Sequence, residues 1–268
     1  MGKGYSLHIG LNYVDPNHYG GWDGKLNACE YDADDMEAIA NNMGFETKKF
    51  LRADATREAV KKEIVSFSEK LKSEDILWIS YSGHGGQVPD QNSDEEDAKD
   101  ETWCLYNGQL IDDELFNLWS LFAEGVRILV ISDSCHSGSL LKSMGAELTT
   151  SQQGFGAKNL PTEVASSTYF LNKQFYDQLL EENKALKPIK ASVKLISGCQ
   201  DNQYSYDGTF NGQFTGQLKQ VWNGGKFNGN YSRFHKKIVN NLPIYQTPNL
   251  MNLGEPNEDF DNQKPFHI

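Results

Sequence analysis

Short apolar runs alternate with amphipathic segments along most of the chain. The runs at 76–79 and 126–131 are almost wholly apolar or β-branched, which is typical of strands covered on both faces of a parallel sheet. Between such runs, apolar side chains recur at helical spacing, as over 56–72. The predicted strands are 5–12, 45–51, 75–81, 126–131 and 192–196, with extended segments at 103–106 and 243–251, and the predicted helices are 27–43, 56–72, 113–122, 172–186, 213–222 and 232–240. This order predicts an α/β fold with a mostly parallel β-sheet sandwiched between α-helices.

Two polar motifs directly follow two of these strands. Ser-Tyr-Ser-Gly-His-Gly-Gly-Gln occupies 80–87, and Ser-Asp-Ser-Cys-His-Ser-Gly occupies 132–138. Catalysis in open parallel sheets takes place beyond the carboxyl ends of the strands. We therefore expect His84 and Cys135 to meet at one edge of the sheet.

A histidine imidazole beside a cysteine thiol can convert the thiol into a nucleophile. The thiol is mostly protonated at neutral pH, so a histidine that takes its proton produces the reactive thiolate. His84 is the expected base, because the side chain of His136 diverges from its neighbour Cys135. Acyl transfer also needs backbone N–H groups aimed at the oxyanion, and those of Gly85 and Cys135 are the expected donors. The chain has neither a Gly-x-Ser-x-Gly elbow nor a phosphate loop after Gly83 to Gly86.

These motifs, in this order and at this spacing, resemble the metacaspases, which are caspase-like cysteine peptidases. Further matching motifs are Leu26 to Ala33, the acidic region from Asp94 to Glu101, Ile111 to Leu115, and Ser197 to Gln203. The resemblance implies a caspase-like fold in a single peptidase domain, residues 1–268. It divides the domain into a large-subunit-like part at about 1–140, a weakly patterned, flexible linker at about 141–190, and a small-subunit-like part at about 191–268.

The resemblance also implies a substrate pocket. It maps Cys29, Asp32, Ser82 and Asp133 onto the pocket for the side chain before the scissile bond, and two carboxylates there suit Arg or Lys. Asp201 is a candidate for the same cleft. The alternatives are a solvated helix-face carboxylate for Asp32, a strand-end cap for Asp133, and a turn residue for Asp201.

The acidic region suggests a calcium site of the kind that activates many metacaspases. Hard cations take six to eight oxygen ligands, and Asp97, Asp100, Asp112 and Asp113 are the candidates. The match is imperfect, because a further acid expected after the cysteine motif is replaced near Lys142. A solvated acidic loop is the alternative. The expected cofactor is Ca²⁺, acting as an activator and not in the chemistry.

The amino-acid composition limits the binding partners and the cellular compartment that we expect. The formal charge of −12 disfavours nucleic acid and anionic membranes and favours basic peptides. The four cysteines form neither a zinc pattern nor a disulfide framework, no apolar run is long enough to span a membrane, and the N-terminus lacks a signal peptide. We expect a cytoplasmic monomer with no nucleic-acid or membrane partner.

The predicted function is a metacaspase-type cysteine endopeptidase that cleaves after Arg or Lys through an acyl-enzyme. The rivals are a caspase-fold peptidase of other specificity, such as a legumain-like one, and a non-catalytic calcium-dependent scaffold. Self-processing is expected after a lysine, because residues 139–190 contain no arginine. Lys142 and Lys158 are the preferred sites, with Lys158 in a stretch that looks poorly ordered.

Overall fold

The computed structural model describes residues 2–89, 99–135, 156–200 and 203–268. The strands are β1 (Gly4–Gly10), β2 (Glu46–Leu51), β3 (Ile76–Ser82), β4 (Gly85–Pro89), β5 (Lys99–Leu105), β6 (Gly108–Ile111), β7 (Arg127–Asp133), β8 (Ser192–Ser197) and β9 (Asn249–Gly254). The helices are α1 (Cys29–Asn42), α2 (Arg57–Lys70), α3 (Asp112–Trp119), α4 (Thr162–Leu171), α5 (Lys173–Asn183), α6 (Gln213–Trp222), α7 (Tyr231–Asn241) and α8 (Glu258–Asn262).

The central sheet has six strands in the order β2-β1-β3-β7-β8-β9. All neighbouring pairs are parallel except β8 and β9, which are antiparallel. A separate antiparallel sheet, β4-β5-β6, leaves the carboxyl end of β3 through the short connection that contains His84. The predicted mostly parallel sheet is therefore confirmed.

Helices cover both faces of the central sheet, because alternate residues of each strand point to opposite faces. On β3, Leu77 and Ile79 join a core with α2 and α3, whereas Ile76 and Trp78 join a second core with α1, α6 and α7. This double coverage explains why the middle strands read as continuous apolar runs.

The structure differs from the sequence prediction in several elements. The helix predicted over 172–186 is present as α5, and an unpredicted helix, α4, precedes it. Where a short strand was predicted over 103–106, an antiparallel sheet is present, and α8 was not predicted at all. The last extended segment was predicted too early, at 243–251, because the strand β9 begins at Asn249. Within the described residues, no helix combines the length and the apolar character that crossing a membrane requires.

Candidate functional site

Cys135 lies two residues after the end of β7, fully buried at the carboxyl edge of the sheet. Its Sγ donates to the Ser205 carbonyl oxygen at 3.2 Å and accepts a short hydrogen bond from the Ser205 N–H. The neighbouring thiol of Cys199 donates to the Ser134 carbonyl oxygen at 3.6 Å. The nucleophile candidate is thus fixed by the segment that follows β8.

His84 lies in the connection between β3 and β4, at the same edge. Its Nε2 is 2.9 Å from the Gly24 carbonyl oxygen, and the Trp22 ring lies 4.7 Å from the imidazole, centroid to centroid. The buried Nδ1 has no well-formed hydrogen bond among the described residues. Burial lowers the pKa of His84 to about 4, although the backbones of Gly24 and Asn159 act in the opposite direction. The ring is therefore neutral at physiological pH.

The backbone N–H groups of Gly85 and Cys135 converge on one atom. Each donates to the Lys158 carbonyl oxygen at 3.0 Å. Two N–H donors on one carbonyl oxygen form the arrangement that stabilises an oxyanion in acyl transfer. Both donors are those that the sequence predicted.

The Lys158 side chain fills a closed polar pocket below this carbonyl group. Its Nζ lies 3.0 Å from Asp32 Oδ2 and 3.1 Å from Asp133 Oδ2, and it donates to Ser82 Oγ at 2.9 Å. The lysine is completely buried. An ammonium ion buried in this way requires paired carboxylates.

The two carboxylates are held by further donors. Asp133 accepts hydrogen bonds from the side chains of Ser205 and Thr215, at 2.5 and 2.7 Å. Asp32 accepts hydrogen bonds from the Gly212 N–H at 3.0 Å and from Asn211 Nδ2 at 3.0 Å. Neither aspartate is a solvated helix-face residue or a simple cap.

Gly212 keeps the pocket open. A Cβ atom built on it would lie 2.4 Å from Lys158 Nζ, 2.5 Å from Asp133 Oδ2 and 3.1 Å from Asp32 Oδ2. Contacts below 3.0 Å cannot be accommodated without displacing one of these groups. The bare backbone of Gly212 therefore leaves room for the ammonium group between the two carboxylates, and a Cβ there would push side-chain ends out of this arrangement.

The pocket balances one positive charge against two negative ones. Burial alone would lower the pKa of Lys158, but Asp133 and Asp32 outweigh burial and raise that pKa well above its ordinary value. Burial raises the pKa of Asp32, Lys158 lowers it, and Asp133 raises it again, with a net upward shift. Lys158 is therefore charged, and the pocket favours a cation.

Two further residues complete the walls. Burial raises the pKa of the Cys29 thiol to about 12, although Lys158 acts in the opposite direction, so Cys29 is a neutral wall of the pocket beside Ser82. The buried Asp207 accepts hydrogen bonds from the N–H groups of Asn27 and Ala28, at 2.7 and 3.1 Å, just before α1. Asp207 therefore fastens the segment after β8 to the start of α1.

Residues 156–160 cross the site and form two isolated β-bridges, one on each side of Lys158. Ala157 pairs antiparallel with Tyr206, and Asn159 pairs parallel with Gly85. The Lys158 N–H donates to the Ser205 carbonyl oxygen at 2.9 Å, and the Leu160 N–H donates to that of Gly85 at 2.7 Å. The stretch expected to be poorly ordered is therefore paired with the site on both sides of Lys158.

The acidic candidates form a separate region. Asp112 and Asp113 begin α3, and Asp100 is buried in β5. Burial raises the pKa of Asp112 well above its ordinary value, and Glu101 and Asp113 add to the shift. Such a group of carboxylates suits a hard cation, but no three His, Cys, Asp or Glu side chains within the four described ranges are arranged to hold a metal ion. Asp97 and Asp201 lie outside the described residues, as do His136 and Lys142.

Several residues of the site were missed from the sequence. They are Trp22, Gly24, Glu101, Ser205, Tyr206, Asp207, Asn211, Gly212 and Thr215. Most of them lie between 205 and 215, where the chain has no motif with a known chemistry. A run of small and polar residues before the helix at 213–222 was the only available signal.

Comparison with known proteins gives a consistent picture. The family described as Caspase domain matches residues 13–258. Metacaspase-1A of Aspergillus oryzae is 28% identical over 247 residues, which are 80% of this chain and 58% of the relative. Metacaspase-1 of Coccidioides immitis is 30% identical over 251 residues, 81% of this chain and 53% of the relative. The chain thus spans little more than half the length of these curated relatives.

Two solved structures are also similar. A crystal structure of a protein from Geobacter sulfurreducens superposes with a TM-score of 0.92 at 51% identity, covering 99% of both chains. Caspase-1 from Spodoptera frugiperda superposes with a TM-score of 0.56 at 12% identity, covering 94% of this chain and 88% of the other, which supports the fold alone. From the matched family and this shared fold, the chain belongs to the caspase domain family, with fungal metacaspases among its relatives.

Proposed function

We propose that the protein is a cysteine endopeptidase that cleaves peptide bonds after Lys or Arg. The observation that carries the proposal is the position of Lys158. Its ammonium group lies between Asp32 and Asp133 while its carbonyl oxygen accepts hydrogen bonds from Gly85 and Cys135. A peptide bond presented in this way is in the geometry of a substrate.

The proposed mechanism uses Cys135 and His84. His84 takes the Sγ proton, the sulfur attacks the Lys158 carbonyl carbon, and the two N–H donors stabilise the oxyanion. The leaving nitrogen belongs to Asn159, whose backbone is close enough to His84 to raise its pKa. His84 therefore gives its proton to that nitrogen, and water then hydrolyses the thioester.

The pocket supports a preference for basic side chains over Asn or Asp. A neutral amide of Asn would leave both buried carboxylates without a cation, and an acid would add a third negative charge. The charge of the pocket therefore disfavours the legumain-like alternative. Substrates are expected to be peptides or proteins with Arg or Lys before the scissile bond.

Self-processing after Lys158 is part of the proposal. Of the two lysines that the sequence favoured, Lys158 is the one whose bonds to the site are described. Activation by Ca²⁺ is also proposed. It rests on Asp112, Asp113 and Glu101, whose mutual repulsion a cation would relieve.

Hydrolysis of fluorogenic peptides ending in Lys, Arg, Asn or Asp, with Ca²⁺ or with a chelator, tests the proposal. We expect cleavage of the Lys and Arg peptides and none by Cys135→Ala or His84→Ala. Preference for Asp or Asn would refute the pocket assignment, and activity in Cys135→Ala would refute the nucleophile. Folding of both variants is checked by circular dichroism.

A further inference from the structure

We propose that the site also works as a ligase on its own chain, cutting the Lys158–Asn159 bond and rejoining it in place. The inference rests on the proposed function, because it needs the thioester between Cys135 and Lys158. It goes beyond that function by assigning a second acceptor, the amine of Asn159. That amine and water would compete for the same thioester.

The acyl side of the bond is held after cleavage. Lys158 Nζ keeps its contacts with Asp32 and Asp133, and its N–H still donates to the Ser205 carbonyl oxygen at 2.9 Å. None of these contacts involves the bond that breaks. The acyl group therefore stays in the oxyanion site.

The amine side is held independently. Leu160, the residue after the new amino terminus, donates its N–H to the Gly85 carbonyl oxygen at 2.7 Å. Its side chain is 3% exposed and belongs to the core between the sheet, α2 and α3. The bare backbone of Gly86 admits it, since a Cβ there would lie 3.1 Å from Leu160 Cδ2.

The chain beyond Leu160 adds a second anchor. The helices α4 and α5 follow directly, and Tyr176 in α5 is completely buried. Its hydroxyl group is 2.7 Å from His18 Nε2 and accepts a hydrogen bond from the Gln109 N–H at 3.2 Å. The amine of Asn159 therefore cannot diffuse away as the leaving group of a small peptide does.

The two reactions balance as simple acyl transfers. On cutting, the bond between Cys135 Sγ and the Lys158 carbonyl carbon forms, the bond to Asn159 N breaks, and the thiol proton passes through His84 to that nitrogen. On rejoining, the neutral amine attacks the thioester, the C–S bond breaks, and the proton returns to sulfur. Hydrolysis instead leaves a carboxylate on Lys158.

Rejoining is favoured by proximity. A nucleophile held in position reaches effective concentrations of about 10⁵ M or more, far above that of liquid water. An α-amine, with an ordinary pKa near 8, is also substantially neutral at mildly alkaline pH. The net rate of cutting is therefore limited by the hydrolysis of the thioester, and not by the rate at which the thioester forms.

Hydroxylamine distinguishes cutting with rejoining from cutting without it, because this small nucleophile intercepts a thioester. Cys135 and Lys158 lie in the same fragment, so cut chains appear on a denaturing gel as soon as the thioester forms. Without rejoining, the first-order rate of cutting is independent of hydroxylamine. With rejoining, we expect added hydroxylamine to raise that rate about tenfold or more in wild-type protein, under the Ca²⁺ conditions that give the fastest cutting.

Two variants sharpen the test. Leu160→Ala loosens the amine side and is expected to cut faster than wild type without hydroxylamine and to respond less to it. Leu71→Ala is the matched control, because Leu71 is also 3% exposed in the same core and precedes the amino end of β3, whereas the site lies at the carboxyl end of that strand. Cys135→Ala must remain uncut, which excludes direct cleavage by hydroxylamine.

The outcomes distinguish this inference from the proposed function. A wild-type cutting rate that hydroxylamine leaves unchanged overturns rejoining, as does a chain that cleaves Lys peptides but does not cut itself even with hydroxylamine present. A hydroxylamine response that is equal in wild type and Leu160→Ala overturns the anchoring role of Leu160. If Lys and Arg peptides are not cleaved either, the proposed function itself fails.

Discussion

Replacing Asp133 by Asn tests whether the pocket selects substrates by charge. The substitution keeps the size of the side chain and removes one of the two negative charges next to Lys158. Asp32→Asn is the matched variant, since both carboxylates lie at nearly the same distance from the same ammonium group, 3.0 and 3.1 Å. A loss of activity that both variants share reports the charge, because the two aspartates accept hydrogen bonds from different donors.

The magnitude follows from the 3.1 Å distance between Lys158 Nζ and Asp133 Oδ2. At an effective dielectric constant of about 20, two unit charges at this separation attract by about 5 kcal/mol. Truncating one partner of a buried, hydrogen-bonded pair costs about 2 to 5 kcal/mol. We therefore expect kcat/KM for a Lys peptide to fall by about 30- to 5000-fold.

The assay compares a Lys peptide with an otherwise identical Gln peptide. For the Gln peptide, we expect either variant to change kcat/KM little, because the neutral side chain has no charge to lose. Thermal unfolding measures any loss of stability from the altered contacts with Ser205 and Thr215. A Lys-to-Gln ratio that stays within about threefold of wild type in both folded variants would refute selection by charge.

Three further predictions concern Gly212, the two aspartates that begin α3, and His84. Gly212→Ala should abolish cleavage of Lys peptides, because its Cβ would collide with the ammonium group, and unchanged kinetics would contradict the pocket geometry. Asp112→Asn with Asp113→Asn should remove any rise in activity with millimolar Ca²⁺, and the idea fails if wild type is equally active in excess chelator. The depressed pKa of His84, about 4, means that its contribution to folding is complete above pH 6.5 and is lost as the pH falls towards 4. Thermal unfolding of Cys135→Ala should show this decline, and adding His84→Gln should reduce it.

The fold was largely predictable because its signals are local. Continuous apolar runs predicted the buried strands, and the helical period of α2 is visible without any partner. The helix α4 was not predicted, because it lacks such a local signal. Only Thr168 is buried in it, so no apolar stripe marks the helix. The antiparallel β4-β5-β6 sheet depends on pairing across residues 90–98, and no local pattern encodes that.

The site was predictable only where a residue carries chemistry by its type. Cys135, His84 and the donors at Gly85 stand in motifs, whereas Gly212 matters because of what approaches it in space. Lys158 was only partly predictable from the sequence. Its sequence neighbourhood made it a candidate for cleavage, but its contact with two carboxylates from other strands and helices could not be read from a local pattern.

In the proposed self-processing, one pocket both holds the segment around Lys158 and releases it. While the Lys158–Asn159 bond is intact, the ammonium group of the lysine places one positive charge between two buried carboxylates. Its neutral carbonyl group accepts hydrogen bonds from two N–H donors. Hydrolysis turns that carbonyl group into a carboxylate, which adds a third negative charge beside the same pocket. Since like charges close together in a buried site repel strongly, hydrolysis should weaken the hold on Lys158, whereas thioester formation should not. Departure of the linker, and access for other substrates, is therefore expected to follow hydrolysis and not the first cut.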